Sequence, residues 1–328
     1  MRLKVAEARE LAERAMRSVG HDQRDAWLIA DHLIDCELRG VSYGGLARCV
    51  SIVERFKRLG DRRKPLRVVR ETPVSALVEG GDQVGYLPGY KATEIAIAKA
   101  KVTGLAAVGS NDHWYTGMLS YYAEMAAREG LVSIISASAG PWVAPQGGTE
   151  GRFGTNPLCI GVPTTGDPVI WDIGTSSIMH AEVTLAKRLG KPLPEGTAFG
   201  PDGKPTRDPD AAFAGSFAPW GGHKGSGLGL MIQLLGVLTA CPAMPTEIAD
   251  FGFLIVVMTP GLFVDPEQFR KDAQAYAEAV RATRPVEGGP PVRMPFDRSA
   301  AERRRRLAED AIEIDDTVHA RLTALLAS

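Results

Sequence analysis

Short apolar segments alternate with longer amphipathic segments from residue 66 to residue 283, and Gly or Pro separates most of them. This alternation predicts an α/β domain, in which helices cover the faces of a sheet. Strands are expected at 67–70, 75–79, 104–109, 131–137, 157–163, 168–172 and 252–258. Helices between them are expected at 90–102, 116–129, 176–189, 224–240 and 266–283. The stretch 190–219 is rich in Pro, Gly and Asp and is predicted to be a long surface excursion.

Both ends of the chain are predicted to be helical. Helices are expected at 3–17, 22–39, 44–59 and 299–326. In the second of these, apolar residues recur at helical spacing, Asp22 can cap the start and Gly40 ends the helix. Charged residues and a proline at 62–65 predict a linker, and the proline-rich stretch 284–298 predicts a connector.

The composition excludes several classes of protein. A net charge of −1 provides no general field for nucleic acid, and the basic run 303–306 is interpreted as one face of a terminal helix. The four cysteines show no metal-ligand spacing, so we expect no metal site and buried thiols in a reducing compartment. The N-terminus is charged from its second residue, and no uncharged apolar run is long enough to span a membrane. We therefore expect a cytoplasmic protein that binds neither nucleic acid nor membranes.

Three turns of small residues lie in the middle third of the chain, at 154–157, 171–176 and 221–226. Glycine lets a backbone approach a ligand closely, and the free N–H groups at a helix start attract anions. The turns therefore favour one large ligand that carries phosphate groups. Lys224 falls at a helix start, although an exposed helix cap is the alternative interpretation. The glycines at 225–229 follow a polar turn rather than a strand, so they do not predict a Rossmann fold.

With these turns the chain resembles the malate/L-lactate dehydrogenase family of NAD(P)-dependent oxidoreductases, which lack the Rossmann fold. Its motifs are most similar to those of the Δ1-piperideine-2-carboxylate and 2,3-diketogulonate reductases. The resemblance implies an α/β fold with a mixed-sheet domain that binds NAD or NADP, and a helical domain that forms a homodimer. The helical domain would comprise residues 1–65 plus 290–328 and hold the substrate arginine. The NAD(P)-binding region would comprise residues 66–289, with room for a small inserted subdomain.

The resemblance also implies roles for individual residues. The implied substrate contacts are Arg48, Thr155, His180 and Ala181. The implied cofactor contacts are Trp114, Tyr115, Thr116, Gly117, Asp172, Gly174, Thr175, His223, Lys224 and Arg298. An arginine suits a carboxylate because it forms two parallel hydrogen bonds. The alternatives are a surface position for Arg48, a capping role for Thr175 and a structural role for His180.

The catalytic dyad of the family is absent. The family has Ser-His-Gly followed three residues later by Arg. Here Gly45 and Arg48 match, whereas Tyr43 and Gly44 occupy the serine and histidine positions. The histidine that normally donates the proton is therefore missing.

Two other residues are candidates for this proton transfer. Tyr43 is a phenol at the dyad position, and His113 matches a family histidine near the cofactor. Glu182 occupies the position of the acid that completes the charge relay. The alternatives are a packed aromatic at Tyr43 and a cofactor contact without proton transfer at His113.

These residues predict an NAD(P)H-dependent oxidoreductase that transfers hydride at C2 of a small 2-oxo or 2-imino carboxylate. Ketone reduction creates an alkoxide that needs a proton donor, whereas a protonated imine yields a neutral amine. Loss of the histidine therefore favours imines. Two alternatives are a catalytically impaired member that binds nucleotide, and a hydroxy-acid dehydrogenase with a relocated proton donor.

Overall fold

The computed structural model describes residues 1–327, which form helices around a mixed sheet. The helices are α1 (Val5–Ser18), α2 (Gln23–Leu38), α3 (Leu46–Leu59), α4 (Tyr86–Thr103), α5 (Leu119–Arg128), α6 (His180–Arg188), α7 (Pro209–Ala214), α8 (His223–Leu238), α9 (Pro266–Arg281), α10 (Asp297–Ala308) and α11 (Asp316–Ala327). The strands are β1 (Arg2–Leu3), β2 (Arg67–Thr72), β3 (Ser75–Val84), β4 (Leu105–Trp114), β5 (Val132–Ser138), β6 (Leu158–Val162), β7 (Val169–Ile173), β8 (Ala198–Phe199), β9 (Ser216–Phe217), β10 (Gly252–Met258) and β11 (Ile312–Glu313). Short 3-10 turns occupy Ser42–Gly44 and Pro260–Leu262.

The central sheet contains the seven strands that the sequence predicted, in the order β2-β3-β4-β10-β5-β6-β7. Strands β3 and β4 pair in parallel, and the other neighbours pair antiparallel. Helix α4 makes the crossover between β3 and β4. A parallel pair requires such a crossover, because its strands begin at the same edge of the sheet. The predicted α/β, non-Rossmann mixed-sheet fold is therefore confirmed.

The two faces of this sheet are covered unequally. Helices α4 and α5 pack on one face, where Phe253, Ile255 and Val257 of β10 are fully buried among their side chains. Helix α8 contacts β5 and β10. Side chains alternate between the two faces of a strand, and Ile134 of β5, which alternates with buried Ser133 and Ile135, is 39% exposed. The second face is thus only partly covered.

The terminal segments form a separate hydrophobic core. Helices α1, α2 and α3 share this core with Ile312, Leu322 and Leu325 from the C-terminal end. Strands β1 and β11 also pair, which joins the two ends of the chain. This core also includes Val84, Tyr86, Leu87 and Trp114, so it extends across the proposed boundary at residue 66. The division into residues 1–65 plus 290–328 and residues 66–289 stays a proposal.

The stretch 190–219 differs from its prediction as an open surface excursion. It contains β8, α7 and β9, and four of its apolar side chains are buried in a third hydrophobic cluster. These are Leu193, Ala198, Ala212 and Phe217. Isolated apolar residues among Pro and Gly gave no periodic signal, but together they bury a small core.

Several helices begin at other residues than expected. Helix α4 begins at Tyr86, and its first turn contains Pro88. Proline is tolerated there because the first-turn N–H groups have no intrahelical acceptor. Helix α5 begins only at Leu119, since Gly117 has a φ of 74° that a helix cannot continue.

Candidate active site

A cavity of about 490 Å³ lies where the helical core meets the central sheet. Its walls come from the Ser42–Gly44 turn with the start of α3, the connection from β4 to α5, the end of β7 with the start of α6, and residues 295–299. Parts of the chain that are far apart in sequence thus meet at one place. Of the predicted site residues, the cavity is lined by Tyr43, Arg48, Tyr115, Thr116, Gly117, Thr155, Asp172, Gly174, His180, Ala181 and Arg298.

Arg48 is the buried cation of this cavity. It lies in the first turn of α3 and is 8% exposed. Its guanidinium stacks 3.8 Å above the ring of Tyr115, and its Nη1 has no hydrogen-bond partner. Among the described residues, no carboxylate lies within ion-pair distance of it. A buried guanidinium without an anion is costly, so the geometry suits an anionic ligand.

The start of α3 is held by a glutamate that the sequence motifs did not reveal. Glu37 is buried, and its Oε1 accepts a hydrogen bond of 2.7 Å from the backbone N–H of Leu46. A side chain at Gly45 would overlap Glu37, so a glycine is required there. Burial raises the pKa of Glu37 to about 7. This contact fixes the helix turn from which Arg48 reaches the cavity.

The start of α6 brings His180 into the cavity. The ring of His180 lies 4.2 Å from that of Trp142 and 5.1 Å from that of Phe213. Burial, together with the positive charge of Arg48, lowers the pKa of His180 to about 3. The imidazole is therefore neutral near pH 7, and its Nδ1 has no hydrogen-bond partner among the described residues.

Glu182 caps the same helix instead of lining the cavity. Its Oε2 accepts a hydrogen bond of 2.8 Å from the backbone N–H of Met179. Its charge nevertheless reaches Tyr43, whose pKa is raised first by burial and then by Glu182. Tyr43 lies in the turn before α3 and lines the cavity.

The glycine turns shape the opposite wall. Thr155 lines the cavity, while Thr175 is buried behind it and donates from Oγ1 to the carbonyl of Asn156 at 3.1 Å. Thr175 therefore supports the turn but does not line the cavity. Asp172 lines the cavity, and its Oδ2 accepts a hydrogen bond of 2.7 Å from the backbone N–H of Ser120. Burial raises the pKa of Asp172.

Four other predicted residues are not brought into the cavity. His113 is fully buried behind it, where its Nε2 lies 3.0 Å from the Oγ of Ser110 and burial lowers its pKa to about 3. Trp114 belongs to the helical core, and its Nε1 donates to the carbonyl of Asp82. His223 and Lys224 are exposed at the start of α8. The structure thus places His113 away from any ligand in this cavity.

The cavity also contains residues that the sequence analysis did not select. Among them are Cys36, Tyr86, Trp142 and Phe251. Tyr86 directly follows Gly85 at the change from β3 to α4. The three glycine turns of the sequence analysis also lie at the ends of strands or helices. A glycine between a strand and a helix is therefore the sequence signal that could have indicated Tyr86.

A second, arginine-rich cleft of about 840 Å³ adjoins the cavity through Arg298, which lines both. Arginines of the connector, α9 and α10 line it, together with Arg39. Arg281 and Arg304 are paired with Asp297 and Asp167. Arginines outnumber carboxylates in its lining, so the cleft is cationic where it adjoins the cavity.

Comparisons with known proteins identify relatives of the whole chain. The malate/L-lactate dehydrogenase family model matches residues 3–323. The L-sulfolactate dehydrogenase of Methanothermobacter thermautotrophicus is 31% identical over 99% of this chain and 96% of its own length. The (2R)-3-sulfolactate dehydrogenase (NADP(+)) of Chromohalobacter salexigens is 32% identical over 99% of this chain and 98% of its own length.

Solved structures show the same fold. A dehydrogenase from Sinorhizobium meliloti is similar with a TM-score of 0.91 at 32% identity, covering 99% of this chain and 98% of that one. The Δ1-piperideine-2-carboxylate reductase from Pseudomonas syringae has a TM-score of 0.85 at 25% identity, covering 99% of both chains. No helix within residues 1–327 is both long and apolar enough to cross a membrane. The chain therefore belongs to the malate/L-lactate dehydrogenase family and is an oxidoreductase.

Proposed function

We propose that this protein is an NAD(P)H-dependent oxidoreductase that transfers hydride at C2 of a small 2-oxo or 2-imino carboxylate. The observation that carries the proposal is the buried guanidinium of Arg48, which faces the cavity without a carboxylate partner. A substrate carboxylate supplies the missing anion, and a bidentate pair with arginine also fixes its orientation. This orientation positions C2 in the cavity.

The remaining cavity residues would bind the substrate and exclude water. His180, Thr155 and Ala181 line the cavity and are proposed to contact the substrate. A neutral His180 can donate or accept a hydrogen bond without adding a second positive charge. Trp142 and Phe251 supply apolar surface, which strengthens the electrostatic attraction between Arg48 and a carboxylate.

The cofactor is proposed to be NAD or NADP, which supplies the hydride when bound. Tyr115, Thr116, Gly117, Asp172, Gly174 and Arg298 line the cavity where the proposal places its nicotinamide end. Trp114 and Thr175 would support this wall from behind, and His223 and Lys224 would contact parts of the dinucleotide outside the cavity. The arginine-rich cleft beside Arg298 suits its phosphates.

Reduction of a 2-oxo acid needs a proton donor. The sequence predicts Tyr43 or His113 as this donor, and the charge of Glu182 influences the pKa of Tyr43. The names of the two sulfolactate dehydrogenase relatives favour a 2-hydroxy acid and 2-oxo acid pair as substrates. The second candidate function is therefore a hydroxy-acid dehydrogenase with a relocated proton donor. The missing histidine favours an imine substrate.

The test is a screen of the purified protein with NADH and NADPH. The substrates are pyruvate, longer 2-oxo acids, cyclic 2-imino carboxylates, and pyruvate with methylamine. We expect oxidation of the reduced cofactor with at least one of these carboxylates. We expect none with the matched ketones and imines that lack the carboxylate, because they cannot pair with Arg48.

Other outcomes of the screen separate the alternatives. Turnover only where an imine is present assigns an imine reductase, and turnover of plain 2-oxo acids assigns a hydroxy-acid dehydrogenase. Cofactor binding without turnover of any carboxylate would contradict the proposal and assign a nucleotide-binding protein.

We further propose that the protein is a homodimer, and the structure suggests α8 as the interface. Five apolar side chains on α8 are between 41% and 72% exposed, and they recur at helical spacing. They are Leu230, Met231, Leu234, Val237 and Leu238. Monomers rarely expose a continuous apolar surface of this kind, and a two-fold dimer would bury the same face on both copies. This face belongs to the α/β region rather than to the helical domain that the resemblance associates with dimerisation.

Leu234→Glu is expected to weaken dimerisation by at least about 100-fold, because it places a charge in the centre of this apolar face. Light scattering after size-exclusion chromatography measures the change. Phe263→Glu is the matched control, since Phe263 is 84% exposed in a turn outside α8. A variant at Leu234 that remains dimeric would place the interface elsewhere.

A cytoplasmic location is also proposed. The four cysteines are free thiols and buried. Free thiols are typical of proteins from reducing compartments.

A further inference from the structure

The cavity contains a buried tyrosine that has no hydrogen-bond partner. Tyr86 is the first residue of α4, lines the cavity and is 2% exposed. Its Oη makes no hydrogen bond to any residue from 1 to 327. Buried hydroxyl groups are nearly always hydrogen-bonded, so an exception in the wall of a cavity indicates a contact with a ligand.

The ring of Tyr86 is fixed in place. It lies 4.5 Å from the ring of His32, whose Nε2 accepts a hydrogen bond of 2.9 Å from the backbone N–H of Met118. A side chain at Gly117 would overlap both the Tyr86 ring and His32. The hydroxyl is therefore held at one position in the cavity wall instead of sampling many rotamers.

The charges around Tyr86 differ from those around Tyr43. Burial raises the pKa of Tyr86, and the positive charge of Arg48 acts against this effect. The pKa of Tyr43 is raised by burial and then by Glu182, Cys36 and Asp172, and the positive charge of Arg298 lowers it. Tyr86 also lies at a helix N-terminus, which favours negative charge. Arg48 and the helix N-terminus therefore both favour a phenolate at Tyr86, whereas burial opposes it.

Tyr86 also lies near the position from which the family's histidine is missing. Gly44 lines the same cavity, and a Cβ at Gly44 would lie 3.3 Å from the sulfur of Cys36. Cys36 is in turn close enough to Tyr86 to influence its pKa. His180 carries no imidazolium proton near pH 7, because its pKa is lowered to about 3.

We propose that Tyr86, rather than Tyr43, donates the proton to the substrate oxygen during reduction and accepts it during oxidation. The inference rests on the proposed function. As C2 receives hydride, the electron pair of the C=O bond moves to the oxygen. The O–H bond of Tyr86 breaks, its electron pair stays on the phenolate, and the proton forms the new O–H bond of the product. Solvent then returns a proton to the phenolate.

Tyr86→Phe tests the proposal. We expect kcat for a 2-oxo acid to fall by about 100- to 1,000-fold, which is the usual effect of removing a general acid. Reduction of a preformed cyclic iminium carboxylate should fall much less, because its nitrogen needs no proton. Tyr90→Phe is the matched control, since Tyr90 lies one turn later on α4 and outside the cavity.

A binding measurement gives a second readout without turnover. Oxamate carries a carboxylate and a carbonyl oxygen at C2, whereas propionate carries only the carboxylate. Calorimetry is expected to show weaker oxamate binding by about fivefold in Tyr86→Phe, the effect of one lost hydrogen bond, with propionate binding unchanged. Thermal unfolding checks that each variant is folded.

The outcomes separate the inference from the function on which it rests. Full activity of Tyr86→Phe on 2-oxo acids, with loss of activity in Tyr43→Phe, would assign the proton to Tyr43 and leave the function intact. Equal losses on 2-oxo acid and iminium would assign Tyr86 a structural role. A wild-type protein that reduces none of these substrates would overturn both proposals.

Discussion

Arg48→Met is expected to reduce kcat/KM for the carboxylate substrate by about 100- to 1,000-fold, while the free energy of unfolding stays within about 1 kcal/mol of the wild type. The loss of activity follows because methionine cannot pair with the substrate carboxylate. Stability is retained because the guanidinium is buried without a carboxylate, and methionine of similar size removes that cost. Steady-state kinetics and urea unfolding measure the two quantities.

Arg39→Met is the matched control for this prediction. Arg39 is equally buried, but it pairs with Asp35 at 2.6 Å and with Glu124 at 2.9 Å. Its replacement removes the most buried partner of both carboxylates, which keep only Arg303 and Arg128, so we expect a loss of about 3 kcal/mol in the free energy of unfolding. If Arg48→Met lost as much stability as Arg39→Met and kept its activity, Arg48 would be a structural residue.

The free energy of unfolding is expected to fall by about 4 kcal/mol for each pH unit between pH 6 and pH 5. Burial lowers the pKa of His21 to about 4, and the pKa values of His32, His113 and His180 to about 3. The unfolded chain binds these four protons as the pH falls below about 6.5, whereas the folded chain does not. Stability is therefore complete above pH 6.5 and is lost toward acid.

One buried carboxylate acts in the opposite direction. The pKa of Glu37 is raised to about 7, so the folded chain binds a proton that the unfolded chain releases between pH 4.5 and pH 7. The proton that Glu37 binds offsets about one of the four histidine protons. The expected change of the unfolding free energy with pH already includes this offset. Urea unfolding followed by tryptophan fluorescence at pH 7, 6 and 5 measures this slope. His113→Gln should lower it by about 1.4 kcal/mol per pH unit. A stability that is flat from pH 7 to pH 5 would show that these histidines are solvated.

The elements of the fold could be predicted because their signals are local. All seven strands of the central sheet lie at apolar runs that Gly or Pro interrupts, and Asp22 caps α2 through the N–H of Asp25 as predicted. The pairing of β1 with β11 could not be predicted, since two-residue strands at opposite ends of the chain have no periodic pattern.

The site was predictable in part for the same reason. The motif around Arg48 and the turns with Thr155 and Gly174 are short segments, and they line one cavity. His113 was selected from a local Asn-Asp-His sequence, but its ring is buried against Ser110. Strand pairing around a turn decides on which side of it a side chain lies. The sequence alone could therefore not exclude His113 from the cavity.

The sequence by itself determined the alternation of strands and helices, the helix caps and the glycine turns, because backbone preferences act over a few residues. Only the tertiary structure decided which polar groups are left without partners. The guanidinium of Arg48 and the hydroxyl of Tyr86 come from α3 and α4, which both contact α2 and contribute to one cavity. Their lack of hydrogen-bond partners is a property of everything packed around them, and no segment of the sequence contains that information.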